Sequence, residues 1–146
     1  MNRRTAHQAS VADTRYRDDF EAFRIDPASF HHRQHIRLAY TYLAQLGPDA
    51  ACARMKAAIT NLLTHLGADP AAKYHETVTR AWVLAVHHFM HSDTTPAGSA
   101  DAFIDANPRL LVQDIMLTHY SRENLFSDTA RGTFVPPDRI PIPLHG

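Results

Sequence analysis

Residues 70–91, PAAKYHETVTRAWVLAVHHFMH, decide the fold. Val78, Trp82, Val86 and Phe89 recur at steps of three and four, the spacing of one face of an α-helix. Asp69 followed by Pro70 is a strong helix start, a capping carboxylate before a proline at the first helical position. The stretch predicts a helix over 70–91 with a core-facing stripe.

The same punctuation continues upstream. Gly67 stops a helix over 49–66 that carries Met55, Ile59, Leu62, Leu63 and Leu66. Gly47 and Pro48 separate it from a helix over 29–46, capped by Ser29, with Phe30, Leu38, Tyr42 and Leu46 on its apolar side. Pro27 ends a shorter helix over 13–24, capped by Asp13 and carrying Tyr16, Phe20 and Phe23. Residues 1–12 are polar, unpatterned and expected to be a flexible arm.

Downstream, SDTTPAGSA (92–100) reads as a surface loop, with a short helix to follow over 101–106. Asn107-Pro108 opens a last long helix to about 120, marked by Leu111, Ile115 and Thr118. FVPPDRIPIPLHG carries four prolines and cannot be helical. Its apolar Phe134, Val135, Ile140, Ile142 and Leu144 predict an extended tail, 131–146, packed on the bundle. The expected fold is all-α: an up-and-down helical bundle of four main helices (29–46, 49–66, 70–91 and 108–120), with a shorter N-terminal helix and an extended Pro-rich C-terminal tail. The expected core is Trp82, Val78, Val86, Leu38, Tyr42, Ile59, Leu62, Leu63, Leu111 and Ile115, within one domain over 13–146.

Composition narrows the function classes. Lys plus Arg and Asp plus Glu are 15 each, and no basic stripe with interleaved aromatics appears, which argues against nucleic acid as a partner. No run approaches the roughly 20 apolar residues of a membrane span. The two arginines near the start precede no apolar segment, so the expected location is cytoplasmic. The single cysteine, Cys52, excludes an internal disulfide and reads as a small buried thiol. Oligomeric state is left open by the sequence.

Eleven histidines stand against three glutamates, Glu21, Glu76 and Glu123. Imidazole is the commonest metal ligand and titrates near neutral pH. In FHHRQHIRLAYTYL (30–43), His32 and His35 share a helix face with Leu38 and Tyr42. A metal ion or a carboxylate would satisfy them; two partly exposed first-turn histidines are the plainer reading. In YHETVTRAW (74–82), His75 lies in line with Val78 and Trp82, with Glu76 at the seam. A buried glutamate beside a histidine must be paired, coordinated or protonated, unless a helix-start network of Thr77, Thr79 and Arg80 absorbs it.

His87, His88 and His91 hold chelating spacings, but they end a helix, where histidine suits the dipole. His119 either reaches a site from a third direction or is a helix-end histidine by the same reasoning. His7, His65 and His145 have no partners in sequence and are expected at the surface. There is no Gly-rich phosphate loop, no nucleophile elbow and no H-E-x-x-H. Three glutamates cannot supply a di-iron carboxylate set.

The blocks FHHRQHIRLAYTYL, YHETVTRAW and LFSDTARGTFVPPDRIPIP (the patterns FHHxxH, YHETxT and a C-terminal S-x-x-AR…PPD) resemble a family of small uncharacterised bacterial all-helical proteins. That resemblance implies a shared fold and site, and no activity. A weaker likeness is to DinB-type bundles, whose metal-binding pattern His35, His87 and His91 imitate; the order and position of the histidine pair differ.

Two starts, of the helices at 29–46 and 70–91, fall at the same end of an up-and-down bundle. The leading expectation is therefore a small metal-dependent enzyme acting on a small-molecule substrate. His32, His35 and His75 would hold a divalent transition metal (zinc, iron, copper or nickel), leaving an open position. Glu76 would be a fourth ligand or general base, with Tyr74 or Tyr42 orienting substrate. The alternatives are a metal-free acid–base catalyst or small-ligand binder on the same residues, and a structural or partner-binding helical protein.

Overall fold

The computed structural model describes residues 6–145, all of them helical, turn or irregular, with no strand among them. The helices are α1 (Val11–Glu21), α2 (His32–Leu43), α3 (Pro48–His65), α4 (Pro70–Lys73), α5 (Glu76–Ser92), α6 (Ala100–Ala106), α7 (Arg122–Leu125) and α8 (Asp128–Gly132). Short 3-10 turns occupy Pro27–Ser29, Pro108–Leu111 and Gln113–Thr118. No helix among the described residues is long and apolar enough to cross a membrane.

Helices α2, α3 and α5 pack on one another in pairs, with α1 against α2 and α3. Asp49 pairs with Arg80 and Lys56 with Glu76, so α3 and α5 run in opposite directions. Trp82, Val86, Leu38, Tyr42 and Leu62 are buried as expected, Val78, Ile59 and Ile115 are partly buried against that core, and Leu63 is partly buried.

The expected helix over 108–120 is a correction. That segment is two 3-10 turns, and its period of three turns Leu110 inward, fully buried, while Leu111 is 38% exposed. The helix expected over 70–91 is interrupted: α4 ends at Lys73, and Tyr74 and His75 are extended before α5 begins.

Residues 1–5 of the expected arm lie outside the described residues. From His7 onward the chain is docked rather than loose. His7 is 3% exposed, its Nε2 donating to the Met90 carbonyl at 2.9 Å and its Nδ1 accepting from Ala97 N–H at 3.0 Å. Ser10 caps α1, in a reciprocal box with Asp13.

In the tail, Thr77 Oγ1 donates to the Thr133 carbonyl at 3.0 Å and accepts from Val135 N–H at 3.1 Å. Tyr120 donates to the Val135 carbonyl at 2.7 Å, and Arg139 and Ile140 donate N–H groups to the His119 and Thr118 carbonyls. Ile142 is buried, whereas Ile140 and Leu144 are exposed.

Candidate functional site

Helix α2 starts at His32, with Gln34 bonded back to the His31 N–H at 3.1 Å. This places His31, His32 and His35 on the wall of one open cleft of about 260 Å³. Phe30, Val78, Trp82 and Gln113 complete it. His32 Nε2 donates to the Leu110 carbonyl at 2.8 Å, and its ring meets the edge of Trp82 with centroids 4.6 Å apart. His35 stacks on Phe30 at 5.7 Å. Its Nε2 is buried and has no hydrogen-bond partner among the described residues. Burial first, and then the neighbouring charge of His32, push the His35 pKa down to about 4.

His75 stands apart from this cleft. It is the N-cap of α5, and its Nδ1 accepts from Val78 N–H at 3.1 Å. An acceptor Nδ1 fixes the proton on Nε2, which donates to the Leu125 carbonyl at 2.8 Å. Both nitrogens are thus committed. Burial, with Arg131 nearby, holds its pKa below the usual histidine value, although the Leu125 bond pulls upward.

Glu76 lies at the α3–α5 seam. Its carboxylate accepts from Tyr74 Oη at 2.8 Å and from Lys56 Nζ at 3.2 Å. Tyr42 is elsewhere again, donating to Glu21 at 2.5 Å, and Arg54 donates to the same oxygen at 3.0 Å. Burial, then the carboxylate each phenol bonds, raise the pKa of Tyr42 and of Tyr74. Cys52 is buried, its thiol pushed up to about 11, and is therefore a poor nucleophile.

Of the residues expected to converge, then, the structure brings His32 and His35 together and leaves His75, Glu76, Tyr74 and Tyr42 to other contacts. Among the described residues no group of three or more His, Cys, Asp or Glu is set to hold a metal ion. That holds for His35 with His87 and His91 as well.

The sequence reading missed a second gathering of imidazoles. His145, expected at the surface, reaches α5: its Nε2 is 2.8 Å from His88 Nδ1, and its ring stacks on His91 at 4.6 Å. His87 meets His91 edge-on at 4.5 Å. The spacing of His87, His88 and His91 was a visible signal, but nothing in the sequence said that the tail returns to them. His65, in contrast, is exposed and stacks on Phe23. His119 Nδ1 donates to the Ile140 carbonyl at 2.6 Å.

No family model, no curated protein and no solved structure matches the chain. The chemistry of the site therefore rests on this chain's own residues.

Proposed function

We infer that the protein is a small-ligand-binding helical protein whose site is the His32–His35–Trp82 cleft and works without a metal. The observation that carries this reading is His35 Nε2, a buried polar nitrogen with no hydrogen-bond partner among the described residues. Such a group costs about 1–3 kcal/mol unless a partner meets it.

The same residues decide between binding and acid–base catalysis. A general base works best with a pKa near the operating pH. His35, pushed down to about 4, stays neutral at pH 7 and is a weak base. It serves instead as a fixed hydrogen-bonding group. Trp82 and Phe30 offer aromatic walls beside it. The ligand class is a flat, neutral heteroaromatic molecule seated against Phe30 and Trp82, with one hydrogen-bonding ring position that meets His35 Nε2 once the side chains covering that buried nitrogen shift aside.

A metal-dependent enzyme on His32, His35 and His75 is the weaker proposal. His75 would have to give up both Val78 and Leu125 to join the other two. Elemental analysis of tag-free protein distinguishes the readings: stoichiometric zinc, iron or copper favours the enzyme.

The binding test uses protein labelled with 15N at histidine, titrated with 2-pyridone and indole. The His35 Nε2 resonance shifts on addition, and His35→Leu abolishes binding. If neither probe moves it, while the fragments bind elsewhere or not at all, the cleft is not the site.

A further inference from the structure

On the other side of α5 lies a cavity that the His35 cleft does not use. At about 100° per residue along a helix, Arg80, Leu84 and His87 fall in one stripe on the opposite side of α5 from Val78 and Trp82. The cavity, about 430 Å³, lies between that stripe, Pro48 and Asp49 at the start of α3, and the proline-rich tail. Its volume falls in the range of small-molecule sites.

The chemistry of its lining is asymmetric. The walls are Leu84, Ile142, Phe134 and the pyrrolidine rings of the tail, all apolar. The polar groups are Arg80 at one end and His87 and His145 at the other, and one carboxylate, Asp49.

Arg80 is held in place from two directions. Its guanidinium carbon sits 5.3 Å from the Phe134 ring centre, and one nitrogen donates to Asp49 at 2.9 Å. A guanidinium carries five N–H donors, so this leaves donors for a second acceptor. The Asp49 side chain is 79% exposed, which makes its pairing with Arg80 a weak, displaceable one.

We propose that this cavity is a second binding site, for a small aromatic monocarboxylate whose carboxylate pairs with Arg80 and whose ring lies against the prolines and Leu84. An anion fits because the guanidinium at the cavity end has donors beyond the one given to Asp49, and bidentate guanidinium–carboxylate pairing uses them. The aromatic body follows from the apolar side chains of the walls, Leu84, Ile142, Phe134 and the proline rings. This proposal is independent of the His35 cleft.

The test titrates the full chain with benzoate, phenylacetate and 1-naphthoate, and with benzyl alcohol and 1-naphthylmethanol as neutral counterparts. Binding is read by calorimetry and by 13C-methyl NMR. The carboxylates bind more tightly than their neutral counterparts, and they move the Leu84 and Ile142 methyl signals. Arg80→Gln weakens the carboxylates about tenfold or more and leaves the alcohols unchanged. Asp49→Asn tightens the carboxylates, since it removes Arg80's competing partner. His35→Leu leaves all of this unaltered, which separates the two sites. Equal affinity for acids and alcohols, perturbation of the Trp82 indole in place of Leu84 and Ile142, or no binding at millimolar concentration overturns the proposal.

Discussion

The Nε2 of His145, in the tail, lies 2.8 Å from the Nδ1 of His88 on α5. In an imidazole–imidazole bond one nitrogen donates and the other accepts, so the bond survives only while the accepting nitrogen is unprotonated. From Pro141 to His145, Ile142 is buried and His145 makes this bond, while Leu144 is exposed.

This makes tail docking sensitive to acid. Burial first, then the charges of His145 and His119, hold the His88 pKa below its ordinary value of 6.5. A histidine with a depressed pKa in the docked form leaves docking intact above the ordinary pKa and weakens it as pH falls below. The facing groups are His87 and His91 on α5, His119 on the 3-10 segment, Arg109 beside Phe89, and the Arg80–Asp49 pair. The Ile142 methyl resonances should therefore move toward a solvent-exposed position between pH 7.5 and 5.5. His145→Gln, which has a donor and an acceptor but no titration, should flatten that response. A wild-type Ile142 signal constant over the range rules the latch out.

Trp82 is 5% exposed and joins α5 to the start of α2 through His32. Trp82→Ala should cost about 3–5 kcal/mol in denaturant unfolding, the usual range for a buried aromatic truncated to alanine. It should also remove the aromatic wall of the His35 cleft. A loss under about 1 kcal/mol would mean the indole is not packed as described.

Two helix ends show what the sequence could and could not tell. Helix α3 ends at His65 and is closed by Gly67 at φ 76, with Gly67 and Ala68 N–H groups bonded to the Thr64 and Leu63 carbonyls. Glycine is the residue that geometry favours, so the stop at 67 was legible. Helix α1 ends the same way, with Phe23 and Arg24 bonded to Phe20 and Asp19, but the left-handed residue is Phe23, at φ 63. A phenylalanine there gives no signal, and the sequence read on to the proline. The strong stripe of α5 was legible for the same reason as Gly67: local spacing alone specifies it. The 108–120 segment was not, because a short apolar run fits periods of 3.0 and 3.6 alike. The site failed at His75, where helix spacing was extended through an N-cap that is not helical.

Phe23→Gly therefore has two opposed effects. A non-glycine residue in the left-handed region costs roughly 1–2 kcal/mol. The substitution relieves that and gives up the stack on His65, 4.2 Å between ring centres. That stack is on the surface, with Phe23 36% exposed, and contributes less than the strain. Thermal melting should show Phe23→Gly equal to or above wild type, and Phe23→Ala below it. A clear loss for the glycine variant would show that the Phe23–His65 stack outweighs the strain.

Asp13 ties three elements together from inside. It is 2% exposed. Its oxygens accept from Ser10 N–H at 3.0 Å, from Ala100 N–H at 2.8 Å and from Arg37 Nε at 3.0 Å. Thus one carboxylate caps α1, anchors the start of α6 and pairs with α2. Burial alone would raise its pKa, but the Ser10 and Ala100 N–H groups and Arg37 outweigh it, and the pKa lies below the ordinary 3.8. A carboxylate depressed in the folded state contributes stability above its unfolded pKa and loses it as pH falls through the folded value. Asp13→Ala should cost about 3 kcal/mol at pH 7, since it leaves two N–H groups and a guanidinium without their partner. Asp13→Asn should cost less, because its single carbonyl oxygen still accepts. In denaturant titrations the gap between wild type and Asp13→Asn should be full at pH 7 and shrink below pH 3.8 as the wild-type carboxylate takes up its proton. A gap that stays constant down to acid pH would show that the charge of Asp13 contributes nothing and that its shape alone holds α1, α2 and α6 together.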